Sequence, residues 1–311
     1  MFKLPFLLFG LWTSCSANML TLEALLKEDP RLGDWITLLQ VLCIVLLSLR
    51  KHYRRRRKIP LATAIFCSLL YYMSSSLNTW SLQYGISVPL YMVFRSSSLL
   101  TTFLSALVFQ RKPIRFWETF FVLLTSCGLF IVSWAAGTSS VEKTLNLGER
   151  DSVKGLFCIL LGSVLSPLLS IVQEEVLNPQ EDKAQASEEL LFYIQLFSLT
   201  GYVLQAKQLY LLAKDWLLSL PLESSQHLAI FLLNVLTQIF CIRSVFAMSA
   251  QVNAVALQMA LSVRKLLSLF MSYYFFDHHL TRGYWIGAIM TFLGSFLYSL
   301  SRTRPEKAAK E

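Results

Sequence analysis

Apolar runs long enough to cross a bilayer follow one another along the whole chain, separated by short polar turns. A helix rises about 1.5 Å per residue, so a hydrocarbon core of about 30 Å takes roughly 20 residues. The runs fall at residues 6–26, 35–49, 61–82, 87–109, 114–136, 155–176, 190–212, 227–248, 254–276 and 284–301. They predict an all-α polytopic membrane protein of ten transmembrane helices, a single transmembrane domain over 1–311. The polar interruptions are a charged turn at 27–34, a mixed loop at 137–154, an acidic loop at 173–189 that contains Pro179, and a tail at 302–311. Pro167 interrupts the sixth run. The first run reads as a retained helix, because apolar character continues past Ala17 through Leu26. Lys3, the apolar run and the small residues TSCSA would also suit a cleavable signal peptide.

Charge sets the orientation. The densest basic run is RKHYRRRRK at 50–58, after the second span; QRKPIR follows the fourth, and the tail is basic too. Short cytosolic loops carry excess Lys and Arg, so these loops and both termini are expected on the cytosolic side. The run at 50–58 could also serve phosphoinositide binding or nuclear import, but its place between two spans favours an anchor. Only 15% of residues are charged and 55% are hydrophobic, against about 25% charged in soluble domains. Mean hydropathy is +0.52. The net charge of +9 gathers at segment ends, so it speaks to topology and no nucleic-acid partner is expected.

Other chemistry is sparse. The six cysteines lie in apolar segments without a CxxC pair, so they read as small core residues, neither a disulfide frame nor a metal site. The four histidines sit at segment ends, and no third ligand joins His278 and His279. No cofactor is expected. There is no Gly-rich phosphate loop, HExxH or nucleophile elbow, so an enzyme is not expected either.

The polar residues inside the spans carry the functional signal. Arg264 and Lys265 sit mid-way along the ninth span and Arg95 within the fourth. A cation at the bilayer centre costs about 2.5–3.5 kcal/mol on insertion scales, so it needs a compensating role. In the fourth span Tyr91, Arg95, Ser98 and Thr102 share a helical face; in the ninth, Gln258, Ser262, Lys265, Ser268 and Ser272 do. Arg264 is turned by about 100° from Lys265, so one of them points more directly into a cavity. The stripe through Lys265 is the more polar, which makes Lys265 the expected central ligand, with Arg264 a second contact or a partner of helix ends. Asn78, Tyr193, Gln195, Asn234 and Gln238 complete the candidate set. Cations match phosphate, while amides, hydroxyls and aromatic rings can read a base or a sugar. The plainer reading is that the neutral polar residues join helices. Arg243 is expected to pair with Glu174 or Glu175, or those carboxylates are simply solvated.

A weak internal repeat accompanies this pattern. Arg95 precedes a basic-Phe-Trp turn and a closing helix with Gly128; Arg264 precedes Arg282-Gly-Tyr-Trp285 and a closing helix with Gly294. Two five-helix halves, 1–136 and 155–301, would be inserted in opposite orientations because five is odd. Arg95 and Lys265 would then face each other across a central cavity.

VPLYMVFRSSSLL at 88–100, NVLTQIFCIRSVF at 234–246 and LSVRKLLSLFMSYYFF at 261–276 resemble the fourth, eighth and ninth helices of nucleotide-sugar transporters. The branch carrying UDP-N-acetylglucosamine and UDP-xylose is the most similar, and CSANMLTLEALL resembles its first helix. The resemblance implies the drug/metabolite-transporter fold and alternating access. A cytosolic UDP-sugar would be exchanged for lumenal UMP across a Golgi or endoplasmic reticulum membrane. It places the phosphate-binding cations at Arg95 and Lys265. Two departures stand out: Phe192-Tyr193-Ile194 where the family often has Phe-Tyr-Asn, and Asn78-Thr79 where the branch often pairs asparagines. A membrane scaffold or chaperone of the same fold is the alternative. Partners are the nucleotide, the bilayer and, for an oligomer, a second copy of the chain.

Overall fold

The computed structural model describes residues 3–28, 32–52, 58–84, 97–110, 116–145, 149–204, 210, 211, 214, 225–275 and 282–303. Ten helices and no strand occur among them: α1 Lys3–Glu28, α2 Leu32–His52, α3 Leu61–Gln83, α4 Ser98–Gln110, α5 Phe116–Leu145, α6 Glu149–Leu177, α7 Lys183–Leu204, α8 Ser225–Ser249, α9 Ala254–Phe275 and α10 Arg282–Thr303. Among the described residues, three stretches are by themselves long and apolar enough to cross a membrane: Val153–Leu177, Leu228–Ser249 and Arg282–Ser301. Shorter apolar stretches lie at Gly33–Leu49, Ser98–Val108 and Phe116–Val132.

The helix order follows the hydrophobic pattern, with one correction: two polar stretches read as loops are largely helical. The mixed loop at 137–154 is helical over 137–145, the end of α5, and over 149–154, the start of α6, because polar residues extend both helices past their apolar spans. The stretch 173–189, read as an acidic loop, is mostly helical. α6 runs through Leu177, Asn178-Pro179 ends it, and α7 starts at Lys183. Asp182 caps α7: its carboxylate accepts the Gln185 N–H at 3.1 Å and its carbonyl the Ala186 N–H at 3.0 Å. Counting charges hid these ends, because Glu174 and Glu189 are buried acceptors rather than solvated loop residues. Glu189 Oε1 accepts the backbone N–H groups of Lys58 and Ile59 just before α3, at 2.9 and 3.3 Å.

The bundle exposes large apolar side chains and buries polar ones among its apolar core. Leu46, Phe66, Leu236, Phe240 and Phe296 are exposed, whereas Gln195, Asn234, Ser262, Thr102 and Thr291 are fully buried. Water-soluble cores show the opposite arrangement; a bilayer solvates the exposed leucines and phenylalanines and leaves polar groups to pair inside. The most extensive helix pair is α5–α10, followed by α1–α8 and α3–α6; α7 packs on both α2 and α3, and α4 contacts α6 and α9.

The cysteines bring a second correction. Cys15 on α1 and Cys241 on α8 form a disulfide, with Cα atoms 4.7 Å apart, inside an apolar cluster with Leu11, Met248 and Leu257. Two cysteines 226 positions apart carry no spacing signal, and only the α1–α8 pairing brings them together. Cys43, Cys67, Cys127 and Cys158 are free thiols. Titration of the denatured protein is expected to count four thiols before reduction and six after it. A count of six without reductant would refute the bond.

Candidate functional site

The central cleft lies where α3, α4, α6 and α9 meet. Asn78, Ser98, Ile159, Gly162, Ser163, Ser166, Gln258, Leu261, Arg264 and Lys265 line about 420 Å³ of space, its open mouth included. The local sequence explains why α9 delivers its cations there. Asn253 caps the helix, its side-chain oxygen accepting the Ala256 N–H at 3.1 Å and its carbonyl the Leu257 N–H at 3.0 Å. From that fixed start Gln258, Leu261 and Lys265 recur at helical spacing and share the inner face.

Lys265 is buried, and its Nζ donates to Ser98 Oγ at 2.8 Å. Ser98 is buried as well, at the first turn of α4. The bond therefore joins α4 to α9 across the cleft. Arg264 reaches the same cleft, despite the 100° turn between neighbouring residues, because its long side chain can bend round the helix.

The α6 wall was not anticipated. Pro167 has no N–H, so it leaves the Ser163 carbonyl without its usual partner one turn back. That carbonyl accepts from Thr101 Oγ1 on α4 at 3.2 Å. The glycine and serines around the proline form the cleft's thin side. A proline inside a spanning run was the available signal, since freed backbone in a membrane is tolerated where neighbouring groups re-satisfy it.

The remaining candidates are spread over the bundle. Tyr91 and Arg95 lie outside the described residues. Gln258 Nε2 reaches Ser170 Oγ on α6 at 3.4 Å, and Ser262 Oγ is turned onto the Gln258 carbonyl at 2.8 Å. Asn234 and Gln238 belong to a polar cluster that joins α1, α2 and α8. Asn234 Nδ2 donates to Asn18 Oδ1 at 3.1 Å and Thr21 Oγ1 at 3.0 Å; its oxygen accepts from Gln40 Nε2 at 2.7 Å. Gln238 accepts from Asn18 Nδ2 at 2.8 Å. Asn234→Ala strands three partners at once, and a loss of about 1–2 kcal/mol is expected in thermal unfolding. Unchanged stability would mean that the cluster does not hold these helices. Tyr193 stacks on Phe197, and Gln195 is fully buried beside Tyr71. Ile194 sits in the apolar core with Phe231 and Val235 of α8, so its departure from the family pattern falls on a packing position. Arg243 does not pair with Glu174 or Glu175 as expected: its Nη2 lies 3.4 Å from Ser48 Oγ on α2, and Glu174 is engaged by the start of α9.

An all-helical bundle with large apolar side chains on its outer surface is the construction of a polytopic membrane protein. The chain belongs to the UAA transporter family, whose model matches residues 3–302. It is 28% identical over 94% of its length to the UDP-N-acetylglucosamine transporter slc35b4 of Dictyostelium discoideum, covering 90% of that protein. It is 26% identical to the nucleotide sugar transporter SLC35B4 of Homo sapiens, over 99% of both chains. The endoplasmic reticulum GDP-fucose transporter of Drosophila melanogaster matches at 24% over 92% of this chain and 87% of its own. A protein of known crystal structure shares the fold with a TM-score of 0.65 at 12% identity, over 95% of this chain and 96% of that one. The three named relatives are transporters by name, not enzymes.

Proposed function

We propose that the protein is a nucleotide-sugar antiporter. It moves UDP-N-acetylglucosamine or UDP-xylose from the cytosol into the lumen of the Golgi or endoplasmic reticulum, in exchange for UMP. The observation that carries the reading is Lys265, a buried ammonium bonded across the cleft to Ser98, with Arg264 lining the same space. A UDP-sugar carries two phosphate charges, and UMP carries about 1.5–2 at neutral pH. Both therefore match the same pair of cations, and exchange of one for the other leaves the charge of the site nearly constant. Lys265 and Arg95 act as the phosphate ligands, Arg264 supports them, and Asn78, Ser98 and Gln258 add polar contacts.

Alternating access by two inverted five-helix halves is supported by the packing. Shifting every helix number by five turns α1–α8 into α6–α3, α4–α6 into α9–α1 and α3–α7 into α8–α2, and it leaves α5–α10, α4–α9 and α2–α7 unchanged. Both termini and the loops after α2, α4, α6 and α8 then share the cytosolic side.

The test is purified protein in liposomes preloaded with UMP. UMP-dependent uptake of a UDP-sugar is expected, and none from any UDP-sugar would refute the substrate class. Binding alone separates a carrier from a scaffold of the same fold. UMP at about 100 times its Kd should add about 2.7 kcal/mol to stability, whereas a scaffold gains nothing.

A further inference from the structure

Glu174 lies near the C-terminal end of α6 and is buried. Its Oε2 accepts the backbone N–H of Ala254 at 2.8 Å. Ala254 is the first residue of α9, so this N–H is one of the four that the helix itself cannot satisfy. Asn253 serves the amides further in, and Glu174 reaches the first one from another helix. A carboxylate there also faces the positive end of the α9 dipole. One turn on, Gln258 and Ser170 form a second tie between the same two helices. The same two helices line the cleft, α6 with Ser163 and Ser166 and α9 with Arg264 and Lys265.

We propose that Glu174 is a positioning residue for phosphate recognition. It fixes the axial position of α9 against α6, and so the depth at which Lys265 and Arg264 enter the cleft. Lys265 stands eleven residues after Ala254, about 16 Å along a rigid helix, so an axial slip at the first turn reaches the ammonium undiminished. A misplacement of about 1 Å is enough to cost a binding group much of its effect. The inference rests on Lys265 acting as the phosphate ligand.

The test uses the full chain in detergent, with thermal-unfolding titrations of UMP and of uridine, which lacks the phosphate. Glu174→Gln keeps an oxygen at the same reach; Glu174→Asp keeps the charge but falls one methylene short. We expect E174Q to bind UMP within about threefold of the parent protein and E174D to lose about tenfold or more, with uridine affinity changed less than about twofold in both. Either of two results overturns the proposal: a folded E174D that binds UMP normally, or E174Q as impaired as E174D. Equal losses for UMP and uridine overturn it as well, since they mark a general structural role. Lys265→Ala runs alongside: if it leaves UMP affinity intact, the Lys265 reading fails and the proposal falls with it. If K265A loses affinity and E174D does not, only the role of Glu174 fails.

Discussion

Lys265→Ala is expected to abolish UMP-dependent uptake while leaving the fold intact. Truncating one member of a buried, hydrogen-bonded charge pair costs about 2–5 kcal/mol of binding, or roughly 30- to 5,000-fold in affinity. In the ligand-free protein the expectation is different. Lys265 Nζ donates to Ser98 Oγ. Replacing a buried, hydrogen-bonded charge by a well-packed apolar side chain of similar volume is often neutral or stabilising, so Lys265→Met should unfold close to the parent temperature and still lose UMP. Binding lost with stability kept is the signature of a ligand group. Both lost together would mark Lys265 as a structural tie between α4 and α9. Uptake unaffected by either variant would remove it from the site.

How much of this could be read from the sequence depends on the range of the interactions involved. Helix existence is local: ten apolar runs correspond to ten helices among the described residues, and the run read from 254 begins where α9 does. Lys265 was also legible, because a charge deep in an apolar run is costly wherever the run packs. What could not be read was set by partners far along the chain. Cys15 and Cys241 look like core residues until α1 lies on α8. Glu174 looked solvated because its acceptor role depends on an amide 80 positions away. Asn234 and Gln238 share a helix face with the right spacing for a site, yet which neighbour faces them is a matter of bundle packing: here it is Asn18. Of the two readings open for Arg243's surroundings, the pairing with Glu174 or Glu175 is not the one the bundle makes: a serine on α2 lies beside it. Gly128 and Gly294 were read only as marks of a repeat, and the structure gives them a physical task.

That task yields the second large effect, a loss of stability in Gly287→Ala. A Cβ at Gly287 would lie 2.5 Å from the Gly128 carbonyl oxygen and 2.8 Å from the Val132 nitrogen. One at Gly128 would lie 2.7 Å from the Gly287 carbonyl oxygen. The α5 and α10 backbones therefore touch directly, the close approach that small residues permit between membrane helices. Two terms oppose each other in G287A. Alanine favours the helix by about 1 kcal/mol over glycine, but overpacking costs about 1–3 kcal/mol. Val132 Cγ2, also 2.8 Å away, could rotate aside, but the two backbone atoms cannot, so the helices must separate along the most extensive pair of the bundle, and overpacking wins. Gly10→Ala is the control. There the nearest atom is Ser244 Oγ at 3.8 Å, an ordinary contact, so helix propensity decides and the protein should be as stable as the parent or more so. Thermal unfolding of both variants settles the matter. If G287A melts no lower than G10A, the α5–α10 contact is looser than the structure has it, and the closing helices of the two halves are free to move against each other.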